Sequence, residues 1–262
     1  MKIVVCVKYC PDATADRSFA ADRTVDRVGV DGVLSELDEY AVEQALQVKE
    51  SGDPETTEVV AVTVGPEVAR AALLKSLQMG ADAGVHVLDD AVHGSDAVAT
   101  SLILAKAVEA QAADLVICGM ASTDGSMSVV PAMLAERLGL PQVTFASELT
   151  VDGDTVRARR DGDVATEIVE AAGRVLISVT DQANEPRYPS FKGIMAAKKK
   201  PVESLTLADL GIDAALVGAG SAWTAVEAIE ARPPRAAGTV VVDEDGSGAG
   251  ALVEFLAAQK FI

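Results

Sequence analysis

The feature that most constrains the fold is the alternation of short apolar runs with longer amphipathic stretches through the first half of the chain. The apolar runs predict buried strands at residues 3–7, 59–64, 85–88 and 115–118. Apolar residues spaced three or four positions apart predict helices at residues 38–50, from Pro66 onward, at 95–111 and at 129–138. Strands separated by helices imply right-handed crossovers and therefore a parallel sheet.

The pattern changes after Pro141, where four short strand-like runs follow at residues 147–151, 156–160, 164–169 and 175–180. Two Asp-Gly-Asp turns separate the first three runs, which predicts a β-meander attached to the parallel sheet. We therefore expect an α/β fold: a Rossmann-like parallel sheet with helices on both faces, an added β-meander, and an extended C-terminal arm.

The arm is expected because the end of the chain lacks the regular apolar spacing of a self-sufficient core. Turn-forming residues predict a loop over residues 184–200, and Pro233-Pro234 predicts an extended linker over residues 231–237. A short terminal helix is predicted at residues 251–259. The expected organisation is an α/β domain at residues 1–183, the loop at 184–200, and an arm at 201–262 that packs on another chain.

Composition and charge exclude several classes of function. The 262 residues carry a formal net charge of −18, which repels phosphate backbones and anionic lipid, so nucleic acid is not an expected partner. No apolar run approaches the roughly 20 residues that span a bilayer, and no signal peptide is evident. The odd number of cysteines, Cys6, Cys10 and Cys118, predicts buried free thiols and a cytoplasmic location.

Residues that could carry covalent or metal chemistry are scarce. His86 and His93 have no cysteine or acid at metal-ligand spacing, and we interpret both as surface histidines. Cys6 and Cys10 lie four positions apart, which is not the spacing of a redox pair. Neither a nucleophile elbow nor a phosphate-loop motif is present. The sequence therefore favours binding over catalysis, and no metal is expected.

The strongest local indication of a ligand site is residues 118–131, CGMASTDGSMSVVP. This segment follows a predicted strand and precedes a predicted helix, the position at which open α/β sheets bind ligands. Gly119 and Gly125 permit close approach of the backbone, and the hydroxyl groups and first helical N–H groups favour a phosphate. The same pattern also fits an ordinary connecting loop in which Ser126 or Ser128 caps the helix.

Several motifs together resemble the β subunits of electron-transfer flavoproteins. Residues 184–200, NEPRYPSFKGIMAAKKK, are similar to a long signature of that family. The resemblance extends over residues 1–213 through five further motifs: the opening strand ending in Val7-Lys8, AVEQA at 41–45, MGAD at 79–82, the loop at 119–130, and PQVTFAS at 141–147.

The resemblance implies a non-catalytic subunit of a heterodimeric electron carrier. An α subunit would hold most of the FAD, and the β subunit would bind an AMP that undergoes no chemistry. Electrons would arrive from flavin dehydrogenases such as acyl-CoA dehydrogenases and leave to a membrane electron-transfer flavoprotein oxidoreductase. By position, the AMP contacts fall on Cys6, Ser35, Glu36, Leu37, Asp38, Val64, Gly119, Met120, Ala121, Ser122, Thr123, Asp124, Gly125, Ser126, Met127, Ser128, Val129 and Val130.

The resemblance also implies that residues 184–200 recognise dehydrogenases. The docking residues would be Tyr188, Phe191, Ile194, Met195, Lys198, Lys199 and Lys200. Phe191 takes the place of the family's apolar docking residue, and an exposed aromatic is costly unless a partner pocket receives it. Packing of Phe191 into the subunit's own core is the alternative. Asp161 matches an acidic position that steadies the flavin domain, and it fits a solvated hairpin residue equally well.

Two other functions are compatible with parts of the sequence. A second FAD in the AMP site would make the chain a subunit of a bifurcating complex. A stand-alone nucleotide-binding module of the universal-stress type shares the strand–helix rhythm, but it requires neither the 184–200 signature nor an arm. Ala13 and Leu37 stand where some relatives carry aromatic side chains.

Overall fold

In the computed structural model, which describes residues 1–230, 233, 238, 240–243 and 246–262, the predicted apolar runs form strands of one large sheet. The strands of the described residues are β1 (Lys2–Cys6), β2 (Tyr9–Pro11), β3 (Gly32–Leu34), β4 (Glu58–Val64), β5 (Ala83–Val87), β6 (Leu115–Gly119), β7 (Gln142–Asp152), β8 (Thr155–Asp161), β9 (Thr166–Ala172), β10 (Val175–Val179) and β11 (Val202–Leu205). Of these, β2 and β3 pair with each other in a separate antiparallel sheet. The helices are α1 (Glu36–Ser51), α2 (Arg70–Met79), α3 (Ala97–Ala110), α4 (Val130–Leu138), α5 (Phe191–Ala197) and α6 (Gly248–Ala258).

The strand order of the large sheet identifies a point at which the winding reverses. Within the described residues, nine strands pair in the order β11-β5-β4-β1-β6-β10-β7-β8-β9. The pairs from β11 to β7 are parallel, and β8 and β9 continue the sheet antiparallel. The chain runs from β1 outward to β4 and β5 and then crosses to β6 on the other side of β1. Open α/β sheets bind ligands beyond the carboxyl ends of strands at such a reversal.

The core lies in two layers, one on each face of the sheet. Successive strand side chains point to opposite faces, so Ile3 and Val5 pack with α1 and α2, whereas Val4 and Cys6 pack with α3 and α4. Strands covered on both faces need apolar residues at every position, which explains the continuous apolar runs of the sequence. The expected Rossmann-like sheet with helices on both faces is confirmed.

The β-meander is also confirmed, with one difference in its extent. It consists of β7, β8 and β9. The fourth predicted run, β10, lies instead between β6 and β7 in the parallel part of the sheet. All five residues of β10 are buried, as a central parallel strand requires.

A short helix occupies part of the segment that the sequence predicts as a loop. Residues 191–197 form α5, and the side chain of Ser190 caps it by accepting the N–H of Gly193 at 3.0 Å. Pro189 and Gly193 mark turns in sequence patterns, and a helix of two turns is too short to show a periodic apolar face. The loop prediction is therefore wrong for these seven residues.

The predicted arm begins too early. The sequence predicts it from residue 201, but β11 pairs with β5 at the edge of the large sheet. Leu207, Ile212 and Val217 are buried in the layer that contains α3 and α4. A four-residue strand and three scattered apolar side chains give no pattern that sequence reasoning could detect. The chain divides instead into units at Met1–Val226 and Glu227–Ile262.

The second unit contains the predicted terminal helix as α6. The predicted linker at residues 231–237 lies, except for Pro233, outside the described residues. In the part of the chain that the structure describes, no helix is long and apolar enough to cross a membrane.

One histidine prediction is wrong, and β11 explains why. His86 lies in β5 and is fully buried, with its Nε2 atom 2.9 Å from the carbonyl oxygen of Gly65. Because β11 covers β5, this strand is interior rather than an exposed edge. His93 is exposed, as predicted, and pairs with Asp22 at 2.6 Å.

Candidate functional site

Asp38 links the elements that surround the reversal point. It lies in the first turn of α1, where its Oδ2 atom accepts the N–H of Lys8, just beyond β1, at 2.8 Å. Its carboxyl also accepts the N–H of Gly119 at the end of β6. Burial raises the pKa of Asp38 to about 7, although both N–H bonds oppose the rise. Asp38 therefore holds the start of α1 against the ends of β1 and β6.

Gly119 is required by packing against α1. A Cβ atom at this position would lie 2.5 Å from Asp38 Oδ1 and 2.7 Å from the carbonyl oxygen of Leu37. The close approach that the sequence assigns to a ligand is thus made by α1 itself. Gly125 is different, because a Cβ there would meet Ser122 Oγ at 3.1 Å and Lys8 Nζ at 3.9 Å.

A cluster of Lys8, Arg27 and Asp124 joins the loops that follow β1 and β6. Asp124 pairs with Lys8 Nζ at 2.8 Å and with the guanidinium of Arg27, and it accepts the N–H of Gly125 at 2.6 Å. Lys8 Nζ also lies 3.3 Å from Ser122 Oγ. The side chain of Asp124 is fully buried, whereas Lys8 and Arg27 are 41% and 28% exposed. Sequence reasoning missed both cations as site residues, because no local pattern connects them with Asp124.

The charge of Asp124 depends on this cluster. Burial of its carboxyl would raise its pKa, but Lys8 and Arg27 outweigh burial and hold the pKa well below its usual range. The carboxylate is therefore ionised throughout the physiological range and holds both cations close to the loop.

Asp124→Asn should destabilise the protein at neutral pH by about 1–3 kcal/mol, since it removes the charge that two partly exposed cations share. Because the pKa of Asp124 is lower in the folded than in the unfolded protein, its ionised carboxylate stabilises the fold fully at pH values above the unfolded pKa of about 4. This stabilisation is lost as the pH falls toward the folded pKa. Thermal unfolding of the purified protein at about pH 7, 5 and 3.5 tests this. The difference in stability between wild type and variant should be equal at the two higher pH values and smaller at the lowest pH. A difference that is the same at all three pH values would contradict the charge pairing.

The loop before α4 keeps N–H donors for an anion. Ser126 and Ser128 adopt left-handed backbone conformations, with φ of 52° and 57°, which are uncommon for residues other than glycine. The helix begins after Val129, and no side chain of the described residues caps it. The capping by Ser126 or Ser128 that the sequence leaves open is therefore absent from the described contacts. The first N–H groups of α4 remain suited to an anionic group.

The structure brings together the predicted AMP contacts from four separate segments. Cys6 ends β1, and Val64 ends the neighbouring β4. Ser35 is the N-cap residue of α1, and its hydroxyl oxygen accepts the N–H of Thr123 at 3.2 Å. Residues 35–38 therefore contact the loop at 119–130 directly. All four segments lie at the carboxyl edge of the sheet, at the reversal between β1 and β6.

The cysteines are buried and free, as predicted. Cys6 and Cys118 are register partners on β1 and β6. A hydrogen bond with Cys6 and burial raise the pKa of Cys118, and burial raises the pKa of Cys10 to about 11. Protonated thiols are poor nucleophiles and poor metal ligands. In the described ranges, no cluster of three or more His, Cys, Asp or Glu residues could hold a metal ion.

Two sequence motifs, AVEQA and NEPRY, contact each other. The guanidinium of Arg187 bonds to Glu43 at 2.7 and 3.0 Å and to Glu50 at 2.6 and 2.9 Å. The amide of Asn184 donates to Gln44 Oε1 at 3.3 Å. Glu43 and Gln44 are buried on α1, where a polar side chain requires partners of this kind. The motif at 184–187 therefore fixes the segment that leads to α5.

The predicted docking residues lie on and beside α5. Tyr188 and Phe191 are 93% and 81% exposed, and Ile194 and Met195 are also exposed. Phe191 thus does not pack into the subunit's own core. A Cβ on Gly193 would lie 2.5 Å from the carbonyl oxygen of Gln78, so this glycine lets α5 lie directly on the end of α2.

The three lysines after α5 have different environments. Lys198 and Lys199 are exposed. Lys200 Nζ donates to the carbonyl oxygen of Leu77 near the end of α2 at 2.9 Å, and burial lowers its pKa. A cation in this position stabilises the unpaired carbonyl groups at a helix end. The bond to Leu77 gives Lys200 a structural role, and its part in docking stays a prediction.

Asp161 is fully engaged within its hairpin. Its carboxylate accepts the hydroxyl of Ser147 at 2.6 Å, the hydroxyl of Thr166 at 2.7 Å and the Nε–H of Arg159 at 3.0 Å. These bonds lower its pKa, with the Ser147 bond contributing most. The hairpin role accounts for this residue, and contact with a flavin domain stays a prediction.

Comparisons with known proteins point to one family. The family model described as "Electron transfer flavoprotein domain" matches residues 22–210. The chain is 45% identical to the electron transfer flavoprotein subunit beta of Mycobacterium bovis and 44% identical to that of Mycobacterium leprae, over 99% of each chain. It is 34% identical to the protein of the same name from Megasphaera elsdenii, over 100% of both chains.

Proposed function

The chain belongs to the family of electron transfer flavoprotein β subunits, and from that membership we propose that it pairs with an α subunit and binds AMP. The α subunit holds most of the FAD, and the AMP undergoes no chemistry. Dehydrogenases such as acyl-CoA dehydrogenases reduce the flavin, and a membrane electron-transfer flavoprotein oxidoreductase reoxidises it. The protein's task in such a carrier is to bind, orient and tune the cofactor.

The observation that carries the AMP assignment is the convergence of four segments at the reversal between β1 and β6. Cys6 and Val64, at strand ends, would face the base or ribose. The loop at 119–130 would bind the phosphate, because it leads into the uncapped start of α4 and carries hydroxyl groups beside a cation. Residues 35–38 close the site from α1 through the Ser35–Thr123 contact.

The docking assignment rests on the exposure of Tyr188 and Phe191. Both aromatic side chains are more than four-fifths exposed. They lie on a segment that Arg187 fixes to α1 and that Gly193 fits to α2. Exposed aromatic residues on a rigidly held element are typical of residues that dominate binding energy at interfaces.

Co-expression with the α subunit tests the whole proposal. The purified heterodimer should show a flavin absorbance spectrum with one FAD, and chromatography of the denatured extract should give one AMP. Two flavins per heterodimer would instead indicate a second FAD in the AMP site. A co-expressed preparation that contains nucleotide but no flavin would contradict a role as the subunit of an electron carrier.

Gly125→Val should lower the AMP content of the heterodimer by roughly half or more while the flavin content changes little. The added branches would press on Ser122 Oγ and Lys8, since even a Cβ lies 3.1 Å from that hydroxyl oxygen. Gly220→Val is the matched control, because a Cβ there meets no atom of the described residues within 4 Å. Nucleotide analysis of the denatured extract measures both. Equal AMP content in the two variants would overturn the phosphate-loop assignment.

A further inference from the structure

We propose that Lys8 and Arg27 form the cationic pair that recognises the phosphate of the bound nucleotide, with Asp124 as the residue that positions both. This inference rests on the proposed function and deepens it. It assigns the phosphate charge to two side chains that lie outside the predicted AMP contacts.

Both cations lie outside the loop at residues 119–130 and contact it from neighbouring segments. Lys8 lies two residues beyond the end of β1, and Arg27 lies in the segment between β2 and β3. They meet on one carboxylate, that of Asp124, at the middle of the loop. Arg17, which lies in the same segment as Arg27, donates a hydrogen bond to the carbonyl oxygen of Thr123. The segment between β2 and β3 is therefore held against the loop at two adjacent residues.

The cluster has more positive charge and more donors than its internal contacts use. Two cations share one carboxylate, which leaves one net positive charge on a protein of net charge −18. An ammonium carries three N–H donors, and Lys8 uses two of them in the described part of the chain, on Ser122 and Asp124. The side chains of Lys8 and Arg27 are 41% and 28% exposed, so neither cation is closed off from solvent.

Asp124 is suited to position the cations rather than to bind the ligand. Its side chain is fully buried and accepts bonds from Lys8, from Arg27 and from the N–H of Gly125. A carboxylate saturated in this way orders two long side chains before the ligand arrives. Ordering in advance strengthens binding because less conformational entropy is lost on association.

The test compares AMP with adenosine, which differ by the phosphate. Lys8→Met and Arg27→Met heterodimers, stripped of nucleotide, should each bind AMP roughly tenfold or more weakly by titration calorimetry. Adenosine affinity should stay within about twofold, because the nucleoside does not contact the pair. Arg23→Met is the matched control: it lies on the same segment, but its guanidinium donates to the carbonyl oxygen of Val226 at 2.7 Å. Its AMP affinity should not change.

Lys8→Arg and Arg27→Lys keep the charge and should recover most of the AMP affinity even where the methionine variants are unstable. An equal loss of AMP and adenosine in the methionine variants, with no recovery in the charged ones, would show a structural role and overturn the proposal. So would an unchanged ratio of the two affinities. A wild-type heterodimer that binds no AMP would overturn the proposed function itself. This result concerns the wild type and is therefore distinct from the two outcomes for the variants.

Discussion

Phe191→Ala should slow electron transfer from a partner dehydrogenase by roughly tenfold or more while the subunit stays folded. Truncation of an aromatic that becomes buried at an interface typically costs about 2 kcal/mol or more in binding free energy. Phe191 is exposed in the subunit itself, so its truncation removes little core packing. Alanine is also a good helix former, so the first turn of α5 should persist.

The measurement is the rate of flavin reduction by a cognate dehydrogenase at concentrations below saturation. Val164→Ala is the matched control, since Val164 is a 99% exposed apolar residue in the turn between β8 and β9. It should transfer electrons at the wild-type rate. Flavin content, AMP content and thermal stability should be the same in both variants. If Phe191→Ala unfolds the subunit while transfer per folded molecule is unchanged, the docking assignment is wrong.

The fold could be predicted from the sequence wherever one periodic pattern spans a whole element. The strands β1, β4, β5 and β6 are largely apolar because helices cover both faces of the sheet, and their alternation with helices along the chain implies the parallel sheet. The reversal at β1 and β6 then places the loop at 119–130 beside residues 35–38. The position of the candidate site thus follows from local patterns combined with topology.

The parts that the sequence did not predict depend on contacts between distant residues. β11 is a strand because β5 offers it an edge, not because its four residues show a pattern. Lys200 is similar in sequence to Lys198 and Lys199, and only the carbonyl oxygen of Leu77 distinguishes it. Arg27 sits in a segment without periodicity, so its role appears when the fold brings Asp124 to it.

The polar residues of the AVEQA and NEPRY motifs show the same limit. Glu43 and Arg187 are individually ordinary surface-type residues, and their types give no indication that they meet. The resemblance identified both motifs without a physical reason for either. The structure supplies the reason, because a buried carboxylate on α1 requires a cation and Arg187 provides it.

Deletion of residues 227–262 should abolish stable assembly with the α subunit and leave the remainder folded. These residues form a separate unit, and in α6, all of whose residues are described, no side chain is buried. Leu252, Val253 and Phe255 are each more than half exposed. Burial of three such side chains against a partner contributes about 1.5 kcal/mol or more each, which corresponds to roughly a thousandfold or more in affinity.

Two preparations separate assembly from folding. The full-length subunit expressed alone should aggregate, because α6 exposes apolar side chains to solvent and soluble monomers rarely expose large apolar patches. The subunit that ends at Val226 should be more soluble but should not retain the α subunit or its flavin on a column. Leu252→Ser with Phe255→Ser in the full-length chain should have the same effect, whereas Glu254→Ser, an exposed residue of the same helix, should assemble normally. A truncated subunit that still carries flavin through purification would show that residues 227–262 are not the arm.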